Sequence, residues 1–308
     1  MTYPETFGGV VPPICTPFTS NGEIDIKSLE SLLRFQIDGG VTGIFALGTT
    51  SETGALSDAE RTTVIEATVG AIAGQVPVIV GAIGMSMPAV ITYAQQAQSL
   101  GADGVVALGP YYHKYSDDEI LDHFREVAKS VDIPVVAYNL PQMVQTNLSP
   151  EVVIQLATEG VISGVKDSSG NEPALRKMVA GTSHMANFSV FTGAELTVDY
   201  AMFTGAAGVV PGLGNVDPAG YRRLFDAAVA EDWSTARSEQ TRLTELYTIC
   251  SQATPGRVGI TAGIIGGYKT ALREMGVIES NAMARPMKPL NAEEAGSIRA
   301  ILESVGLI

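Results

Sequence analysis

Val161-Ile162-Ser163-Gly164-Val165-Lys166-Asp167-Ser168-Ser169-Gly170 is a short, largely apolar run that closes on a lysine and dissolves into small polar residues and glycine. Such a run reads as a strand ending at a loop. A lone lysine at that place is most often a side chain snorkelling out of the strand end, here with Asp167 as a ready partner. Lysine is rarely buried without a reason, however, and an amine held away from water favours its neutral, nucleophilic form. What surrounds the run in the fold therefore decides how it is read.

Similar runs recur along the chain: Val10–Cys15, Gly43–Leu47, Val78–Ala82, Gly104–Leu108, Val135–Tyr138, Gly164–Lys166, Phe188–Thr192 and Gly208–Val210. Their nearly continuous apolar character is that of strands buried on both faces, as in a parallel sheet. Helix signals fill the intervals of roughly 20 to 35 residues between them. Ser57-Asp58-Ala59-Glu60 is a capping box opening a helix toward Ala71, and Ser116-Asp117-Asp118-Glu119 does the same before Ile120–Ser130. Ser149-Pro150-Glu151 places proline in a first helical turn that leads to Leu156. Strand and helix alternating eight times predict an α/β fold, a (β/α)8 TIM barrel, over residues 1–230. Residues 231–308 continue in helical pattern without new strands and are expected to pack on the barrel as a C-terminal extension, one domain overall.

The 308 residues include 19 basic and 33 acidic side chains, a net charge of −14, which disfavours nucleic acid or an anionic membrane surface as partner. Met1–Gly9 shows no secretory pattern, and no apolar run is long enough to span a membrane. A cytoplasmic location is expected. Cys15 and Cys250 stand far apart, and His113, His123 and His184 are scattered, so neither a disulfide framework nor a metal site is indicated.

In a barrel of this kind the active site lies at the C-terminal ends of the strands. Those ends carry Thr16, Gly48-Thr49-Thr50-Ser51-Glu52, Gly81-Ala82, Pro110-Tyr111-Tyr112, Tyr138-Asn139, Lys166-Asp167, Thr192-Gly193 and Pro211-Gly212. One amine, several phenols and a cluster of hydroxyl and amide donors thus converge on one face, a set suited to carbonyl chemistry. The Gly48–Glu52 turn offers hydroxyls beside exposed amides, which suits a carboxylate. Tyr138 and Lys166 end the fifth and sixth strands, so phenol and amine become neighbours.

These motifs resemble the dihydrodipicolinate synthase / N-acetylneuraminate lyase family of pyruvate-dependent class I aldolases. The resemblance rests on Gly48-Thr49-Thr50-x-Glu52, Pro110-Tyr111-Tyr112, Tyr138-Asn139-Leu140-Pro141 and Gly164-Val165-Lys166-Asp167-Ser168-Ser169-Gly170, in matching order from Gly9 to about Leu290. It implies Lys166 as the Schiff-base lysine, Tyr138 as general acid/base, and Thr49 and Thr50 as holders of the pyruvate carboxylate. Thr50 and Tyr112 would form a proton relay, with Tyr112 reaching a neighbouring subunit's site, and Val210 would line the methyl side. No cofactor beyond the covalent imine is implied, and the expected assembly is a homotetramer, a dimer of dimers.

The chain also departs from the family's known subgroups. Where aspartate-semialdehyde-condensing synthases carry an arginine, it has Met143, and where sialic acid lyases have paired acids it has Glu195-Leu196. Ser51 replaces a usual glycine. Gln142, Gln145, Thr146, Ser168 and Glu195 would suit the hydroxyls of a 2-keto-3-deoxy sugar acid, cleaved reversibly to pyruvate and an aldehyde. The alternatives are dihydrodipicolinate synthase-type condensation, N-acetylneuraminate lyase activity, a sugar-acid dehydratase using the same imine, and a ligand-binding barrel without catalysis.

Overall fold

A computed structural model describes residues 7–308. The expectation about Met1–Gly9 thus falls mainly on residues outside the described ones. Eight strands form one all-parallel sheet: β1 (Gly9–Val10), β2 (Ile44–Ala46), β3 (Val78–Gly81), β4 (Gly104–Leu108), β5 (Val135–Asn139), β6 (Gly164–Asp167), β7 (Ser189–Thr192) and β8 (Gly208–Val209). Neighbours follow chain order from β2 to β8, and β8 pairs with β1.

The barrel closes between β1 and β2 through a parallel bridge from Pro13 to Phe45. Thr42 and Phe45 donate backbone N–H groups to the carbonyls of Val10 and Pro12, and Ile14 donates to Phe45. The first strand, expected over Val10–Cys15, is accordingly far shorter. Pro12 and Pro13 have no N–H to give a ladder, so pairing there survives only through their carbonyls and their flanks.

Alternation along the strands sorts side chains into two cores. Val105, Ala107, Val135, Ala137, Val165, Val190 and Val209 face outward into the large cluster shared with the helices. Phe45, Ile79, Val106, Leu108, Val136, Tyr138, Phe191 and Val210 face inward and fill the barrel, with Phe7 among them. Both faces are buried, which is why the strands read as unbroken apolar runs.

Around the sheet run α1 (Ile26–Asp38), α2 (Asp58–Ile72), α3 (Met87–Ser99), α4 (Asp117–Lys129), a short α5 (Pro141–Val144), α6 (Pro150–Thr158), α7 (Glu172–Thr182), α8 (Val198–Phe203) and α9 (Pro218–Val229). The capping boxes at Ser57 and Ser116 form as read from sequence, with Glu60 and Glu119 each accepting at 2.7 Å from the cap backbone. Ser149 caps α6 by accepting from the Val152 N–H at 3.2 Å. Beyond residue 230 come α10 (Trp233–Leu246), α11 (Ile260–Glu274) and α12 (Ala292–Ser304). From Ile265 to Leu272 every residue of α11 is buried, the mark of a helix enclosed rather than laid on a surface.

Among the described residues no helix is long and apolar enough to cross a membrane. Cys15 and Cys250 are both free thiols.

The tightest point of the sheet is β8 against β1. A Cβ on Gly208 would lie 2.1 Å from the Gly9 carbonyl oxygen, a backbone atom that cannot swing aside. Gly208→Ala is expected to destabilise the barrel by about 2 kcal/mol, as over-packing does. A urea unfolding midpoint equal to that of the parent chain would contradict this account of the closure.

Candidate active site

The inner register brings the chemistry together. Leu108, Tyr138, Lys166 and Phe191 are successive partners across β4, β5, β6 and β7. Because paired residues of a parallel sheet share a face, Tyr138 and Lys166 both point into the mouth of the barrel. The Lys166 Nζ lies 4.2 Å from the centre of the Tyr138 ring and 5.2 Å from that of Phe45. Lys166 is 5% exposed and Tyr138 3%. Asp167, the partner that would have made this an ordinary strand-end lysine, faces the other way. Its carboxylate accepts from Asn139 Nδ2 at 2.8 Å and from the Ser169 hydroxyl at 3.0 Å. Burial pushes the Asp167 carboxyl up, and those hydrogen bonds oppose the shift. Among the described residues no acid forms an ion pair with Lys166, whose amine is enclosed by aromatic faces instead.

A cavity of about 310 Å³ opens above this amine. Of the eleven residues singled out from sequence for the site, eight line it: Lys166, Tyr138, Thr49, Thr50, Val210, Gln142, Ser168 and Glu195. The turn after β2 supplies the threonines. Leu47 enters it at φ 56° and Glu52 leaves it at φ 60°, and the Glu52 N–H closes the turn on the Thr49 carbonyl at 3.0 Å. Ser51 is a buried strut: its hydroxyl donates to the Ile14 carbonyl at 2.5 Å, and its own carbonyl accepts from Thr16 at 2.8 Å. Its φ is not in the left-handed region, so a serine costs the turn nothing there. The hydroxyls of Thr49 and Thr50 have no partner among the described residues, which leaves them free for a ligand.

Four polar residues differ from their expected part. Glu195 lines the cavity, but its carboxylate already accepts from the Leu213 N–H at 2.6 Å, the Tyr268 hydroxyl at 3.1 Å and the Tyr221 hydroxyl at 3.4 Å. Burial raises the Glu195 carboxyl, while the Leu213 N–H, Tyr268 and the positive Lys166 pull it down. It organises the wall instead of reaching for sugar hydroxyls. Gln142 spends its amide N–H groups on the carbonyls of Ser168 and Ser169, at 3.1 and 2.9 Å, and so ties the β5 loop to the β6 loop. Gln145 and Thr146 lie outside this cavity, beside Tyr112–Asp117.

Tyr112 is also outside. It is 79% exposed at φ 80°, on the rim of a separate cavity of about 770 Å³ between the loops after β3 and β4. A bulky residue held in that backbone region is strained. Within one chain it takes no part in the lysine cavity.

Sequence reading missed the far wall. Tyr247, Thr261, Ile264, Ile265 and Tyr268, from α11 and the turn before it, line the same cavity. The signal was faint: α11 reads as a buried helix, and nothing in its composition separates a cavity-facing isoleucine from a core one. Among the described residues, no group of three or more His, Cys, Asp or Glu is placed to hold a metal ion.

A family model described as the dihydrodipicolinate synthetase family matches residues 6–305. The chain is 32% identical to a 4-hydroxy-tetrahydrodipicolinate synthase of Desulfotalea psychrophila, covering 99% of this chain and 98% of that protein. It is 29% identical to a probable 2-dehydro-3-deoxy-D-pentonate aldolase of Escherichia coli, covering 98% of both. A prophage protein of the dihydrodipicolinic acid synthase family from Escherichia coli K12, solved in complex with pyruvate, superposes with a TM-score of 0.91 at 28% identity over 98% of this chain and 99% of that one.

Gly193 is the narrow point beside the amine. A Cβ there would sit 2.0 Å from the Ser168 hydroxyl and 3.1 Å from Lys166 Cε. Gly193→Ala is expected to displace both side chains and to cut turnover by at least about tenfold, since small misplacements of a reacting group are costly. Unchanged kcat in a folded variant would contradict this geometry.

Proposed function

The chain belongs to the dihydrodipicolinate synthetase family, whose members include lyases and aldolases, and on that premise we propose that it cleaves 2-keto-3-deoxy sugar acids reversibly to pyruvate and an aldehyde. The observation that carries this reading is the cavity's charge. Among the described residues lining it, Lys166 is the only basic one, and the half-exposed side chain at the place of a second-carboxylate arginine is Met143. A second carboxylate would find no cation there, which argues against condensation with aspartate semialdehyde. Ser168, Tyr247 and Thr261 suit neutral hydroxyls, beside the apolar surface of Leu140, Ile264 and Ile265. The identities of 32% and 29% to a synthase and an aldolase do not separate these activities. The lining residues support the aldolase reading.

In this reading Thr49 and Thr50 seat the keto-acid carboxylate. The Lys166 Nζ adds to C2, water leaves, and the protonated imine becomes the electron sink. Tyr138 takes the proton from the C4 hydroxyl as the C3–C4 bond breaks and its electron pair enters the imine to give an enamine. The aldehyde departs, C3 is protonated, and hydrolysis returns pyruvate and the free lysine. Val210 borders the C3 side. Thr50 and the partner subunit's Tyr112 relay the proton to solvent in a cytoplasmic homotetramer. The strained, exposed Tyr112, which stands outside the lysine cavity of its own chain, supports that assembly. Light scattering checks it, with a monomer as the contrary result.

Borohydride reduction in the presence of pyruvate is expected to leave a reduced adduct on Lys166 that is absent in Lys166→Ala. Tyr138→Phe is expected to retain the fold and lose about 10² to 10⁴ in kcat, the usual worth of a positioned acid/base. A panel of 2-keto-3-deoxy pentonates and hexonates is expected to release pyruvate. Release from sialic acid alone overturns the substrate class. Loss of water with the carbon chain intact replaces the aldolase with a dehydratase.

A further inference from the structure

The turn that carries Thr49 and Thr50 ends on a charge that never meets solvent. Glu52 forms an ion pair with Lys269 of α11, and both side chains are 0% exposed. The other Glu52 oxygen accepts from the Ala284 N–H at 2.8 Å. The Lys269 Nζ donates to the Ala282 carbonyl at 2.9 Å and sits 4.4 Å from the centre of the Phe18 ring. One acid on the threonine turn is thereby fastened to α11 and to the segment that follows it.

Stability alone does not account for this arrangement. Two charges taken out of water recover little net energy from each other, and an apolar pair of equal volume would hold the fold as well. What an apolar pair cannot supply is direction. Hydrogen-bonded charges fix distance and angle between two elements, while packed methyl groups tolerate sliding.

The elements joined here are opposite walls of the lysine cavity. Thr49 and Thr50 lie just before Glu52, while Thr261, Ile264 and Ile265 share α11 with Lys269. Tyr268, the neighbour of Lys269, fastens the same helix to Glu195 through its hydroxyl at 3.1 Å. Adjacent residues of α11 thus grip an acid on each side of the cavity.

We propose that the Glu52–Lys269 pair is a positioning device for the active site, holding the Thr49–Thr50 turn in register with α11 so that carboxylate seat and aldehyde wall keep one spacing. This rests on the reading of that turn as the seat of the keto-acid carboxylate. A misaligned seat weakens pyruvate binding while leaving the amine in place, so affinity and not the saturated rate carries the signature.

The test is borohydride trapping on Lys166 of the full chain as a function of pyruvate concentration. Glu52→Gln alone strands a buried ammonium and risks the fold, so the informative protein is Glu52→Gln combined with Lys269→Met, which removes both charges. It is expected to unfold cooperatively like the parent, with half-saturation by pyruvate raised about tenfold and trapping at saturation within about twofold. A folded double variant with parental half-saturation overturns the proposal, as does equal loss of affinity and saturated rate. Should the double variant fail to fold, Glu52→Asp keeps the charges, shortens the tether by one methylene and is judged by the same two readings. No adduct in the parent chain would instead sink the functional reading itself.

Discussion

An amine that forms no ion pair among the described residues, held against two aromatic faces inside the mouth of a barrel, is the constraint on which the rest of this structure turns. Lys166 is placed there by register: it pairs with Tyr138 on one side and Phe191 on the other, and all three share the inner face. Its sequence neighbour Asp167 is turned outward by strand alternation and held by Asn139 and Ser169. One residue of slip in β6 would exchange the two, putting a carboxylate in the barrel and the amine among the helices. The glycine at 193 completes the arrangement, because any larger residue would occupy the space of Lys166 Cε and the Ser168 hydroxyl.

Around that amine the cavity is built from two parts of the chain with different roles. Strand β5 and the strand-end loops supply its polar groups: Tyr138, the hydroxyls of Thr49 and Thr50, and Ser168. The region past residue 230 supplies a wall and the fastenings that hold it. Tyr268 on Glu195 and Lys269 on Glu52 tie α11 to the loops after β7 and β2. An acid that faces a cavity is easily taken for a ligand-binding group. Here Glu195 is bound by one backbone N–H and two phenols, and the wall depends on it.

Much of this was legible in the chain, for identifiable reasons. Buried parallel strands have no polar face, so their apolar runs stand out and their spacing gives the barrel. Capping boxes at Ser57 and Ser116 are local chemistry and form where they are read. The first strand was over-read because apolar character conceals that Pro12 and Pro13 cannot donate to a ladder. Gln145 and Thr146 were assigned to the cavity because closeness in sequence to Tyr138 says nothing about where a loop turns. Gln145 takes a left-handed conformation at φ 61°, and Thr146 is drawn off to the Pro110 carbonyl at 2.5 Å.

The sequence by itself determined the order of elements and set the amine and its phenol at the ends of neighbouring strands, because each is written in a local pattern of apolar periodicity, caps and turns. Only the tertiary structure decided which partners those groups meet. That no acid among the described residues forms an ion pair with Lys166, that Glu195 is already engaged, that Glu52 finds Lys269 and that α11 walls the cavity all depend on residues far apart in the chain. No local pattern encodes them. They follow from barrel closure, which brings the ends of eight strands and one C-terminal helix to a single point and leaves each buried polar group to find its partner there.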